Sequence, residues 1–367
     1  MQATRYRQIT FIQATAVLIS TIIGVGVLPL PLFGVRAADS GAPLVTLLGV
    51  LLGLVGVLLI TALGMRFPDQ TIIRYSETII GRWIASIGSV MIIFFFLFLT
   101  ALTAREFGAV VVTAVLKKTP LEVTVTVMLL LAATSTRKDI RAFSYIHLFY
   151  TPFILAPALL IVALSLKNAN LLYLQPVTGN EPQEMLRGIL TVASLFQGSF
   201  IMTLVIPHMK KPGQAMTASL WGLAISGGLY LLIVIASVAV FGSEETKMLL
   251  WPTLELAKTT ALPANILERL DAAFLAVWVT AVFTTLFSSY SLTVHATTEL
   301  LRLKDHKLFT FFLLPYVVVL AMLPQNLLQL YQVIEWVGRI GLWITIAYPG
   351  LLFFVALLRK KRGDRLE

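Results

Sequence analysis

Gly24-Val25-Gly26, followed by Pro29 and Pro31, interrupts the first apolar stretch of this chain. A helix crossing a bilayer must satisfy its backbone groups internally, because lipid offers no partners. Two glycines and a proline so close together work against that. Such a break persists at depth only where protein or a water-filled cavity takes up the freed N–H and C=O groups. The chemistry on offer is anion binding. Unpaired amides at a helix break point toward negative charge, so an amino acid carboxylate is a natural ligand. The competing reading is close helix packing across small residues.

A second break of similar character, Ser194-Leu195-Phe196-Gln197-Gly198-Ser199, lies about half the chain later. Gln197 carries two donors and an acceptor at membrane depth, where polar groups are costly unless used. It either contacts a ligand or caps unwound backbone. Phe196 reads as a gate or pocket wall, or as ordinary core. Thr284, Thr285, Ser288 and Ser289 crowd the middle of a later span. Their hydroxyls either join broken-helix carbonyls around a ligand or Na⁺, with Thr284 and Ser288 the candidates for Na⁺, or bond back to their own helix. Of Phe94, Phe95, Phe96 and Phe98, only one or two can face one cavity, since neighbours sit about 100° apart on a helix. Phe95 and Phe98 are the expected pair.

Arg105 and Glu106 look like buried charges. Measured from Arg82, however, Arg105 lies about 35 Å along a helix, near a membrane boundary. Either a plain interfacial pair is expected there, or an outer vestibule ion pair with another helix, with Glu268, Arg269 or Asp271 as the candidate partners. No Asp, Glu or Lys then falls at an estimated span centre, and a carboxylate-based proton relay lacks a candidate.

These groups need a membrane frame. The chain has 367 residues, 58% hydrophobic and only 13% charged, with mean hydropathy +0.89. A soluble domain is nearer a quarter charged, so this is a polytopic membrane protein. Without cysteine there are no disulfides, thiolate metal sites or iron–sulfur clusters. His147, His208, His295 and His306 show no metal-ligand spacing. No Ser/His/Asp set, P-loop or catalytic carboxylate pair is present, so neither enzyme chemistry nor a cofactor is expected. The net charge of +10 sits in short clusters between apolar spans, which fits membrane orientation and not nucleic-acid binding. Arg5 and Arg7 before an apolar run imitate a signal peptide, but the run is too long and many spans follow.

About ten segments reach the length a crossing helix needs: near 9–33, 42–65, 83–115, 121–136, 142–166, 186–206, 215–241, 267–297, 307–324 and 337–358. Lys and Arg are nearly twice as rich in one set of alternate connections as in the other, which places both termini in the cytoplasm. Five spans precede the second break, so the second half enters from the opposite side. The expected fold is all-α: one membrane domain over 1–367, an inverted five-plus-five repeat (about 9–166 and 186–358) with discontinuous first and sixth helices, and a basic tail over 359–367. Residues 70–80 read as a short interfacial helix or a folded connector. Trp251-Pro252-Thr253 opens a re-entrant or interfacial segment, with Trp251 expected at the headgroup level.

With ten spans and two breaks, the chain resembles the amino acid–polyamine–organocation transporter superfamily, whose fold is LeuT-like. More closely, it resembles the spore germination permease family, the B subunit of nutrient germinant receptors. The resemblance runs through Ile22–Pro31, Arg105-Glu106-Phe107, Thr119-Pro120 and Pro207–Lys211, then Trp251-Pro252-Thr253, Glu268-Arg269 and Phe283-Thr284-Thr285. It implies a receptor subunit of the bacterial spore inner membrane that recognises a small nutrient, often an amino acid, alongside A and C subunits. By position it places the ligand at Gly24 and Gly26, at Phe196-Gln197-Gly198, and at Thr284 and Thr285, and the reading of the residues adds Val25 between the two glycines. Where many members carry an acidic residue just after the second-break glycine, this chain has Ser199 and Phe200. The alternative function is secondary active transport of an amino acid, coupled to Na⁺ or H⁺.

Overall fold

Local signals start and stop the helices that carry the breaks. Thr10 accepts a hydrogen bond from the Gln13 amide, while the Gln13 side chain accepts from the Thr10 amide. This reciprocal cap opens α1 (Phe11–Ile22). After Gly24 the chain makes one tight turn, Val25–Val27, then enters α2 (Leu30–Ala38). Pro31 falls in the first turn of α2, where a missing N–H costs nothing. The computed structural model describes residues 8–178, 182–259 and 270–363. Glu268 and Arg269, the side chain of Asp271 and the last four residues of the tail lie outside the described residues.

The first half continues with α3 (Ala42–Arg66), α4 (Ile72–Ile80), α5 (Arg82–Ala114), α6 (Leu121–Thr136) and α7 (Ile140–Ser165). The second half opens with α8 (Pro182–Ser194), breaks at 195–201, and resumes as α9 (Met202–Val205). Then come α10 (Ala215–Met248), α11 (Pro252–Thr259), α12 (Leu270–Leu300), α13 (Lys307–Phe312), α14 (Leu314–Met322), α15 (Leu327–Leu342) and α16 (Tyr348–Leu358). Among the described residues, seven helical runs are long and apolar enough to cross a membrane, and 11–22, 121–136 and 307–322 are shorter apolar helices. Reading α1 with α2 as one interrupted pass, these make ten passes.

The two halves pack alike, which identifies the repeat where the residues do not. α3 packs on α8 as α10 packs on α1, and α1 on α7 as α8 on α15. α6 meets α12 as α14 meets α5, and the short helices follow: α4 lies on α5 and α16, α11 on α12 and α7. Each of these pairs maps onto its counterpart five passes on, the pattern of an inverted LeuT-like repeat.

The short helix over 72–80 is docked onto the protein: Ile72, Ile73, Tyr75 and Ile79 are buried, and Tyr75 stacks on Phe67 at 5.4 Å. The tenth pass begins at Leu327, ten residues before the expected 337, because Asn326 caps it by accepting from the Gln329 amide. A wide, π-helical stretch at Trp343–Ala347 then joins α15 to α16. The sixth-pass run, Pro182–His208, is the most buried of the seven, as a central broken element must be. Gly53 of α3 permits that burial, since a Cβ there would come within 2.9 Å of Phe196.

Candidate functional site: a cavity between the two breaks

Both breaks open onto one cavity. Its volume is about 90 Å³, against the roughly 10–15 Å³ that one water needs on the same measure. Gly24, Val25 and Gly26 line one wall, with Gln197 and Gly198 on another. α5 supplies Phe96, Leu99, Thr103 and Glu106, and α12 supplies Thr285, Ser288 and Ser289. The α5 residues recur at i, i+3, i+7 and i+10, a single helical stripe.

The glycines matter here through close approach. A Cβ on Gly24 would fall on the Thr285 hydroxyl, so only glycine lets the break lie against α12 at this point. The amides of Val25 and Gly26 have no hydrogen-bond acceptor among the described residues. Tyr230 from α10 holds the end of α1, its hydroxyl donating to Ile22 O at 2.7 Å. At the second break, the Gln197 amide nitrogen donates to Gly338 O of α15, while its Oε1 is buried and unpartnered. Gln197 therefore ties its break to the tenth pass, with its Oε1 lying against Gly341 of α15.

Glu106 corrects the expectation of a charge-free site. It is 3% exposed and lines the cavity. The Tyr331 side chain lies beside its carboxylate, whose Oε1 has no partner. Distance along the helix misplaced it, because α5 has 33 residues, about 50 Å at helical rise. A helix that long begins outside a 30 Å core and tilts, so its length does not report depth. Nor do Arg105 and Glu106 pair. Arg105 Nη2 donates to Pro324 O at 2.9 Å, on another side of α5.

Other expected residues stand behind the wall. Phe95 packs against Gly341 beside Gln197, and Phe98 is half-buried off the cavity, while Phe96 and Leu99 face it. Phe196 is buried against Tyr230, with ring centroids 5.4 Å apart. Thr284 donates to Ser20 O at 2.8 Å and Thr285 to Thr21 O at 3.1 Å, so both bind α1. Ser288 Oγ lies 2.6 Å from Thr21 Oγ1 and 3.2 Å from His147 Nε2. A bare Na⁺ needs several oxygens turned toward one point. Thr284 gives its hydrogen to Ser20 O and Ser288 is shared between Thr21 and His147, so here both hydroxyls tie helices together.

α11 covers the first break. Thr253 Oγ1 donates to Val27 O at 2.7 Å, and Trp251 Nε1 donates to the Tyr331 hydroxyl at 2.8 Å. Trp251, expected at the headgroup level, is buried in the protein with its indole on Tyr331, which lies beside Glu106. Tyr331 and Tyr230 escaped the sequence reading. Each is a lone tyrosine in an apolar helix, and the one available signal was its polar tip at depth.

The fold and family of this chain can now be compared with known proteins. A solved structure described as the substrate-bound outward-open state of a Na⁺-coupled sialic acid symporter superposes with a TM-score of 0.67. It covers 93% of this chain and 79% of that one at 11% identity, a likeness of fold alone. Spore germination protein YndE of Bacillus subtilis (strain 168) is 27% identical over 359 residues, 98% of each chain. Spore germination protein B2 of the same organism is 25% identical over 362 residues, 97% of each. Spore germination protein GerLB of Bacillus cereus is 24% identical over 347 residues, 94% of this chain and 93% of that one. A family profile described as spore germination protein matches residues 8–330. With its helical, transporter-like membrane fold, the chain belongs to the spore germination protein family and is a non-enzymatic integral membrane protein.

Proposed function

We propose that this protein is the membrane subunit of a nutrient germinant receptor, and that it binds a small zwitterion such as an amino acid in the cavity between the breaks. One observation carries the reading. The cavity wall holds unpartnered donors, the Val25 and Gly26 amides, together with an unpartnered buried acceptor, Glu106 Oε1. Buried polar groups are rarely left unpaired, and a carboxylate–ammonium ligand supplies the missing partner to each kind. The apolar remainder of the wall, including Phe33, Phe96 and Leu102, suits a small aliphatic side chain.

The ligand acts by differential affinity. It can shift the protein between two arrangements of its broken helices only by binding one better than the other. A and C subunits in the spore inner membrane read that change, with both termini on the cytoplasmic side. In support, α1 and the 195–201 break touch each other and α12, so a ligand between them bears on both moving parts.

The test is ligand binding to purified protein across the amino acids, with Gln197→Ala and Glu106→Gln as controls, and nutrient dose–response in spores carrying the same variants. An unchanged dose–response at normal protein levels sinks the site. The second reading, amino acid transport, is favoured by the symporter-like fold. Reconstitution in liposomes separates the two, since transport gives saturable, gradient-driven uptake and sensing gives binding without flux.

A further inference from the structure

His147 of α7 is completely buried where α1 meets α12. Its Nδ1 lies 2.6 Å from Ser20 Oγ, and its Nε2 3.2 Å from Ser288 Oγ. Ser20 Oγ also reaches Ala16 O at 2.7 Å. A carbonyl only accepts, so Ser20 donates to it and takes the hydrogen of His147 Nδ1. Nε2 then accepts from Ser288, and Ser288 accepts from Thr21 at 2.6 Å. All hydrogens run one way, from Thr21 on the cavity wall to Ala16 O, with the imidazole neutral and both its nitrogens used. Phe287 lies parallel to the ring at 5.6 Å, and Phe143 closes in at 4.4 Å. Thr151, one turn further along α7, bonds His147 O at 2.7 Å and Ala16 O at 3.3 Å, a second tie between α7 and α1.

The junction is also where hydroxyls of α12 and carbonyls of α1 converge, the kind of place that could recruit a cation between two helices. Here those oxygens are engaged: Ser20 O by Thr284, Thr21 O by Thr285, and the Ser288 hydroxyl by Thr21 and His147. We propose that His147 stands in for a bridging cation: it is the positioning residue that clasps the half of the first pass preceding Gly24 onto α12, so closure of that half needs no Na⁺. A cation would draw oxygens from both helices. The imidazole makes one hydrogen bond to each, and it does so without a charge to desolvate. The claim concerns the motion of α1 and holds whichever nutrient, if any, fills the cavity.

The chain has no cysteine, so Ala14→Cys places a sole thiol at a fully buried position of α1. Its rate of reaction with a maleimide in detergent-purified protein reports opening of α1 with no ligand added. We expect rates within about twofold in NaCl and KCl. On His147→Phe, which keeps a ring and loses both hydrogen bonds, the rate rises about tenfold or more. His147→Gln, which retains a donor and an acceptor, recovers at least half of that change on a logarithmic scale. Labelling slowed several-fold by Na⁺ in the protein with His147 intact overturns the proposal. So does an unchanged rate on His147→Phe, or a glutamine variant no better than phenylalanine. Should His147→Phe fail to fold, Ser20→Ala cuts one of the two bonds in its place, and the salt comparison needs no change at position 147.

Discussion

Replacing Glu106 with glutamine tests the proposed site most directly, because ligand affinity and ligand-free stability should move in different directions. The substitution keeps the shape and removes the charge. In the cavity the carboxylate lies beside Tyr331, leaves Oε1 unpartnered and forms no ion pair among the described residues. An ammonium group docked there makes a charged hydrogen bond worth about 1.5–3 kcal/mol. Losing it weakens binding about 10- to 150-fold. Without ligand the balance reverses. A buried charge with so little compensation is costly, and a neutral isostere lifts that cost, so thermal stability of the ligand-free protein holds level or rises. Calorimetric titration and thermal unfolding on one purified preparation give both numbers. Affinity within twofold of the parent refutes the docking of an ammonium group, and a parallel loss of affinity and stability refutes the assignment of Glu106 to binding over structure.

Other expectations follow from contacts already described. Gly24→Ala drives a methyl onto the Thr285 hydroxyl and should cost about 1–3 kcal/mol. Adding Thr285→Ala should recover part of that loss, and a strictly additive double mutant contradicts the close approach. Thr253→Val leaves Val27 O without its hydroxyl donor. Amide exchange over 252–259 should rise about tenfold, and unchanged exchange would show that α11 is held by packing alone. His306 precedes α13 and bonds Thr136 O through Nε2, with its ring 4.4 Å from His295. Burial holds its imidazole below the ordinary value of 6.5, so the fold prefers it neutral. That contribution is present at higher pH and is lost as pH falls below 6.5. Melting temperature should drop from about pH 8 to about pH 5, and His306→Phe should flatten the slope. An identical slope in the variant removes His306 from the account.

Much of the architecture was legible because a bilayer admits few solutions. Gly24, Gly26, Pro29 and Pro31 forbid an unbroken helix, and Gln197-Gly198 repeats the problem half a chain later. Five spans per half then dictate opposite entry. Phase around a helix was harder. Phe95 and Phe98 look as good as Phe96 and Leu99 from composition, since every face of α5 is apolar and no amphipathic stripe marks the inner one. Its packing against α12 and α15 selects that face.

Sequence alone thus determined what each segment can be: which stretches span, where they must break, and that a polar residue such as Gln197 at depth needs a use. Those are local consequences of backbone hydrogen bonding and transfer energy, which neighbouring residues set among themselves. Only tertiary structure decided what each polar atom meets. The packing of α5 on α12 and α15 brought Glu106 to the cavity, the docking of α11 carried Trp251 to Tyr331, and the crossing of α1, α7 and α12 closed His147 between Ser20 and Ser288. Partners eighty or more residues apart are chosen by how helices pack and cross, and no local pattern encodes those.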